Sequence, residues 1–335
     1  MEISELEQRL PRFCRAKYER PDVSVHSVHA MPGHAGFAYG FTVDIPGAPS
    51  ESWFLRLPPP NVKWRGTADV LRQVAVLNAL DATDVPHCSI KWSGDDLQWF
   101  ERPYFVVPKL TGDVLRLAPE EWGAGLNDDQ RLDLGKQIMT ALAGIHRVDP
   151  TTAPYLGEGV ELHDDVARWD TFYERAADPE KLALAPQVRK RLLETIPTGA
   201  PTGIFHGDFQ TANLFCSFDA QLLAVIDWEL VGIGATLNDV GWICTFSDRA
   251  AWDPDSRGAA PMFLDPDTLV DLYVAAWGER PIGLEWFRAL AAYKFGIITG
   301  FNLSLHRRGK RIDDTWETTA LSMQPLMRRA LDLLG

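Results

Sequence analysis

The chain is poor in cysteine, in positive charge and in long apolar runs. Its four cysteines, Cys14, Cys88, Cys216 and Cys244, are scattered over 335 residues without a C-x-x-C spacing. That pattern argues against a zinc site and a disulfide framework, and buried thiols are expected. The 46 acidic residues outnumber the 33 basic ones, giving a formal net charge of −13. A nucleic-acid backbone demands a basic face, so the balance argues against general nucleic-acid binding. No stretch approaches the roughly 18 apolar residues of a membrane helix. The opening MEISELEQRL is a charged helical start rather than a signal peptide. A soluble, cytoplasmic protein with no membrane partner is expected, and nothing in the sequence sets an oligomeric state.

What the chain does contain is HGDFQTANLF at 206–215, followed by AVIDWE at 224–229. The spacing matches the H-x-D-x-x-x-x-N loop of phosphoryl-transfer catalysis with a second, metal-binding aspartate after it. Asp208 lies five positions before Asn213 and nineteen before Asp227. An aspartate can accept the proton of an attacking hydroxyl. The amide oxygen of Asn213 and the carboxylate of Asp227 suit Mg²⁺, a hard cation that takes oxygen ligands. His206 is expected to hold backbone groups by hydrogen bonds. Asp and Asn are also common turn formers, so a turn-rich β segment without chemistry is the competing account.

Geometry supports the first account. Residues 213–217 and 222–226 are apolar, partly β-branched runs separated by Phe218, Asp219, Ala220 and Gln221, which reads as a hairpin. With Ser217 paired near Leu222, Asn213 falls opposite Ile226, so Asn213 and Asp227 would emerge side by side and could share one cation with waters and phosphate oxygens.

With these motifs on the page, the chain resembles the aminoglycoside phosphotransferase-like kinases, and within them the branch similar to the kinase domain joined to some acyl-CoA dehydrogenases. The resemblance runs over nearly the whole chain and includes FLRLPPP (54–60), the helix ending before ATDVP (82–86), ALAGIHRVDP (141–150) and ARW (167–169). It implies a two-lobed, protein-kinase-like α+β fold, with an antiparallel-sheet N-lobe and a mostly helical C-lobe. It also implies ATP and Mg²⁺ as cosubstrates and a small hydroxylated acceptor. Length and a 46% hydrophobic content allow two lobes, placed here at 1–108 for nucleotide and 109–335 for catalytic loop and acceptor. An acidic protein can still bind ATP, because Mg²⁺ and a few local cations neutralise the triphosphate.

Along the N-terminal half, a first helix is expected at 2–20 and an opening strand at 23–30. In MPGHAGFAYGFTV (31–43), Gly33, Gly36 and Gly40 punctuate a strand–turn–strand pattern. Glycines let backbone N–H groups approach phosphate oxygens, which makes Gly33 and Gly36 candidates for a nucleotide-covering loop, with an ordinary hairpin turn as the alternative. Arg56 is the polar exception in the next strand, where kinases carry a phosphate-binding lysine. The helix that follows, from near Thr67, carries Val70, Val74, Leu77 and Leu80 on one side. It offers Gln73 where kinases place a glutamate. A Gln73–Arg56 hydrogen bond would lack charge assistance on one side, and a surface arginine is the competing reading of Arg56. The run 99–110 reads as a buried strand running into the interlobe connection, an apolar edge strand whose backbone N–H and C=O groups at Val107, Pro108 and Lys109 would meet the adenine, with a plain core strand as the rival.

In the C-terminal half, helix 128–146 carries Leu132, Leu134, Ile138, Met139, Leu142 and Ile145 as core, with His146 structural. Residues 161–196 and 264–333 read as mainly helical, and in the resembling family such segments form the acceptor pocket. The tryptophans of this half, Trp242 among them, read as core, and Asp239 as a structural carboxylate bonding backbone amides. The basic cluster His306, Arg307, Arg308, Lys310 and Arg311 reads as a solvated helix end, with recognition of an anionic acceptor as the alternative. The function expected is transfer of the ATP γ-phosphate to a small-molecule hydroxyl. A nucleotide-binding pseudokinase that regulates a partner is the rival, favoured by the Arg56/Gln73 departure.

Overall fold

The computed structural model describes residues 1–31, 37–257 and 262–335. Gly33 and Gly36 lie outside the described residues. The chain divides into two compact units: 1–112 with 151–156 and 223–231, and 113–150 with 157–222 and 232–335.

The first unit is built on a five-stranded antiparallel sheet ordered β1-β2-β3-β5-β4, from Ser24–Ala30, Ala38–Asp44, Glu51–Arg56, Tyr104–Pro108 (β5) and Trp92–Gly94 (β4). Alternation explains its two cores. Tyr104 and Val106 of β5, with Trp53 and Leu55 of β3, pack with Leu6, Leu10 and Phe13 of helix Ile3–Lys17. Phe105 and Val107 point the other way and pack with Val70 and Val74. That second helix spans Val70–Leu80, later than expected, because the Asp69 side chain caps it by accepting from Leu71 N. The strand read at 99–110 is shortened to Tyr104–Pro108, since Glu101 takes a left-handed φ of 58° that breaks extension. Gly40 lies inside β2 rather than in a turn; a Cβ there would come within 2.5 Å of the His29 ring.

The second unit is mostly helical. Helix Asp128–His146 begins at an Asn127/Gln130 capping box and packs on helix Pro266–Trp277. The long helix Leu284–Arg307 packs on Leu237–Ser247 and Met323–Leu334. Close approach needs Gly241, where a Cβ would lie 2.3 Å from the Phe287 carbonyl. Of the expected core of helix 128–146, Leu132 is 37% exposed and belongs to the surface. Two short strand pairs carry the catalytic motif: β7 (Thr202–Phe205) with β10 (Gly232–Ala235), and β6 (Asp113–Val114) with β8 (Leu214–Cys216). After β8 the chain turns, Ser217 N donating to Gln221 O at 2.9 Å, into β9 (Leu222–Val225). Cys14, Cys216 and Cys244 are buried free thiols and Cys88 is half-buried. Among the described residues no helix is long and apolar enough to cross a membrane.

Candidate active site

The candidate catalytic loop, residues 206–213, follows β7 in the second unit. Its second residue, Gly207, has φ 89°, a left-handed turn that a side chain would resist. Helix Leu237–Ser247 supplies Asp239 and Trp242, three residues apart and therefore on one face. Asp239 pins the loop's backbone: its Oδ2 accepts from His206 N at 2.7 Å and its Oδ1 from Gly207 N at 2.8 Å. His146 approaches the same carboxylate with Nε2 at 3.2 Å, its Nδ1 lying 2.9 Å from the Tyr273 hydroxyl. Asp239 is fully buried. Burial pushes its pKa up, but the bond and charge of His146, the charge of His206 and the backbone bond hold it below the ordinary carboxylate range. Both Asp239 and His146 thus have the structural roles the sequence suggested. His206 Nδ1 accepts from Asp208 N at 3.2 Å, holding backbone as expected.

On this fixed loop the Asp208 carboxylate is held from three sides. Oδ1 accepts from Trp242 Nε1 at 2.7 Å and Gln210 Nε2 at 2.9 Å. Oδ2 accepts from Asn213 Nδ2 at 2.9 Å, and the same nitrogen reaches the Asp208 carbonyl at 2.8 Å. Desolvation raises the Asp208 pKa above the ordinary range, opposed by these bonds and by His206. A carboxylate oriented this way, with its proton affinity raised, suits a general base. Asn213 spends its amide nitrogen on Asp208, which leaves Oδ1 as its side chain's acceptor and the atom suited to a hard cation.

Sequence reasoning placed Trp242 in the core and did not single out Gln210. The D-x-x-W spacing at 239–242 was the available signal, because it puts a carboxylate and an indole donor on the same helical face. Trp242 is backed by Phe246 and Phe295 at ring distances of 5.5 and 5.8 Å. The buried Lys294 ammonium lies 5.9 Å from its ring and is itself bonded to Asn238 Oδ1 at 3.2 Å and paired with Asp165 at 3.9 Å.

The other candidate residues lie in the first unit. Asp227 has an exposed side chain and a left-handed backbone, φ 62° and ψ 59°, just before the short turn Trp228–Leu230. Trp228 is buried beneath, its Nε1 donating to Val225 O at 3.0 Å. No three His, Cys, Asp or Glu side chains cluster as a metal cage among the described residues. An Asn oxygen and one carboxylate fit Mg²⁺, which usually takes one or two protein carboxylates and completes its shell with water and phosphate.

Arg56 shares the face of β3 that carries Phe54, yet its partner is not Gln73. It pairs with Glu229, Nη2 to Oε2 at 3.4 Å. Gln73 is 4% exposed and its Nε2 has no hydrogen-bond partner. The expected Gln73–Arg56 bond is therefore corrected: a carboxylate outcompetes a neutral amide for a guanidinium. The reading of β5 as an edge strand is also corrected, since β4 covers it up to Val106, whose carbonyl accepts from Lys91 N at 2.9 Å. Lys109 N donates to Ser52 O at 2.9 Å, and the alternation of an antiparallel ladder turns the backbone of Val107, opposite Phe54, toward β3 as well. The Val107 side chain is buried, whereas Lys109 is exposed with Nζ 3.4 Å from His29 Nε2.

The basic cluster resolves as a helix end. Arg307 forms a bidentate pair with Glu317 at 2.7 Å and reaches Asp178 at 2.6 Å. Arg308 donates to the Ser304 carbonyl.

A family model described as the phosphotransferase enzyme family matches residues 42–292. Among curated proteins, mouse acyl-CoA dehydrogenase family member 11 is 23% identical over 303 residues, covering 85% of this chain and 38% of that protein. Mouse family member 10 is 26% identical over 198 residues, covering 57% of this chain and 18% of that protein. The chain thus spans well under half the length of these relatives. A Ralstonia eutropha structure, provisionally assigned as an aminoglycoside phosphotransferase, superposes with a TM-score of 0.79 at 21% identity, covering 98% of this chain and 97% of that one. Plasmodium vivax ethanolamine kinase gives 0.59 at 12% identity, covering 96% and 89%. Spectinomycin phosphotransferase, in complex with ADP and spectinomycin, gives 0.60 at 11% identity, covering 97% and 98%. These likenesses show the fold, a two-lobed, kinase-like α+β architecture. With three quarters of its length matched by the family model, the chain belongs to the phosphotransferase enzyme family.

Proposed function

We propose that the chain transfers the γ-phosphate of ATP to a hydroxyl of a small molecule. The observation that carries this reading is the Asp208 carboxylate, held by Trp242, Gln210 and Asn213 on a loop whose backbone Asp239 pins. Asp208 orients the acceptor hydroxyl and takes its proton. As the O–H bond breaks, the acceptor oxygen bonds to the γ-phosphorus, the bond from that phosphorus to the β–γ bridging oxygen breaks, and ADP leaves with the electron pair. Asn213 Oδ1 and Asp227 would hold Mg²⁺, which when bound neutralises phosphate charge. Arg56 steadies the phosphates, Gly33 and Gly36 cover them, and the segment Val107–Lys109 meets the adenine. Because Val107 spends its backbone on β3, the Pro108 carbonyl, beyond the end of β4, is the acceptor left for the base. The related kinases act on small hydroxylated compounds such as ethanolamine and spectinomycin by name, which supports that class of acceptor. Glu229 gives Arg56 the countercharge that Gln73 lacks, which supports the kinase reading over a regulatory pseudokinase.

The test is a panel of hydroxylated small molecules incubated with radiolabelled ATP and Mg²⁺. Transfer should fall on the order of 10²-fold or more in Asp208→Asn with ATP affinity nearly unchanged, because the carboxylate acts on the acceptor. A wild-type chain with neither transfer nor Mg²⁺-dependent ATP hydrolysis above the Asp208→Asn background would overturn the proposal.

A further inference from the structure

A cavity of about 100 Å³ in the first unit is bordered by Phe37, Arg56, Val70, Gln73 and Glu229. Three polar side chains meet there, and they do not share their bonds evenly. Arg56, 14% exposed, pairs with Glu229. Gln73 sits on the helix packed under the same face of the sheet and leaves a buried amide nitrogen without an acceptor. A buried donor without a partner is a cost to the fold, so the helix does not gain from a neutral residue there. A guanidinium beside a phosphate needs a partner that fixes its fork, because a free arginine has many rotamers to lose on binding. Here that partner comes from the chain segment two residues after Asp227, within the turn Trp228–Leu230.

Resting on the proposed kinase reading, we infer that Glu229 is the positioning residue for Arg56, and that the ion pair couples the phosphate-binding strand β3 to the segment carrying Asp227. Gln73 borders the same cavity, yet the guanidinium is paired with Glu229 and not with it. Two consequences separate this from a merely structural salt bridge. Removing Glu229 weakens nucleotide binding, and the lost carboxylate can be supplied from position 73, since both residues border one cavity.

The experiment measures the dissociation constant of Mg²⁺·AMP-PNP by calorimetry for four chains: unsubstituted, Glu229→Gln, Gln73→Glu, and the double variant, with melting temperatures alongside. Glu229→Gln should weaken binding about tenfold, the loss expected for one charge-assisted contact. The double variant should recover most of that loss. Should Glu229→Gln fail to fold, Glu229→Asp, one methylene short of Arg56, gives the same comparison. Unchanged affinity in a folded Glu229 variant, or a double variant no tighter than the single, overturns the inference and leaves the kinase reading standing. No binding by the unsubstituted chain overturns both.

Discussion

The proposed catalytic loop and the proposed nucleotide-side residues are held in opposite ways. Around Asp208 each oxygen of the carboxylate has a donor, and the backbone at His206 and Gly207 is bonded to a buried aspartate. Around Arg56 one ion pair at 3.4 Å stands beside an unpartnered buried amide and an open cavity. A group that must accept a proton along one direction has to be rigid before the substrate arrives. On the proposed reading Arg56 grips a polyphosphate, and such groups are completed by the ligand itself, so a spare donor and a cavity can persist there. On the proposed reading, polar satisfaction in the free protein marks where chemistry is aimed, and incomplete satisfaction marks where a ligand supplies the missing bonds.

The sharpest way to break that contrast is at Asp239. Replacing it by asparagine puts an NH₂ group where one of two backbone N–H donors now finds an acceptor, and removes the charge facing His146. We expect Asp239→Asn to cost about 3–5 kcal/mol, as for removal of one member of a buried pair. Denaturant unfolding checks this. Its pH dependence has a definite sign: because the folded-state pKa of Asp239 is lowered, its contribution is present above the ordinary carboxylate range and is lost as pH falls through the lowered value. The wild-type protein should lose stability on acidification more steeply than the variant. Parallel curves would mean that Asp239 is not the charged clamp described here.

Trp242→Phe should have a smaller effect and sharpen the comparison, since it removes one donor from Asp208 and keeps the aromatic packing. Loss of a hydrogen bond to a charged group is worth about 1.5–3 kcal/mol, so transfer at neutral pH should fall roughly tenfold or more. The indole bond lowers the Asp208 pKa against desolvation; without it the acid limb of the rate profile should move to higher pH. An unmoved limb would show that the indole does not act on the base.

How far the sequence could be read follows the same division. Asp208, Asn213, His206 and Gly207 lie in one short segment, and their spacing encodes the loop directly. Asp239 was legible because, in LNDVGW, it follows the two motif aspartates closely in sequence. Trp242 was not, since an indole at helical spacing looks like core until its N–H is traced to a partner 34 residues away. Arg56 was legible from alternation in β3, but its partner was not, because Glu229 is 173 residues distant and pairing across that separation leaves no local pattern. The edge-strand reading of 99–110 failed for a related reason: β4 comprises only three residues, too few for a periodicity to be visible.

The smallest effect is expected at the basic cluster, where local sequence once suggested an anionic acceptor. Arg307 is already committed to Glu317 and Asp178, which drive its pKa upward. A guanidinium engaged by two carboxylates has little charge left for a substrate, and side chains about 42% exposed on both Arg307 and Glu317 leave the pair screened by salt. Arg307→Ala should therefore leave acceptor KM and ATP KM within about twofold of the parent, the scatter ordinary for a surface change. Any loss of stability should shrink further at high ionic strength. The comparison to make is with Trp242→Phe under identical conditions, since Arg307→Ala removes three N–H donors from two carboxylates and Trp242→Phe only one, yet only the latter touches the proposed base. An acceptor KM raised tenfold in Arg307→Ala, with ATP KM constant, would return the cluster to the binding site and show that a fully paired surface cation can still read a substrate's charge.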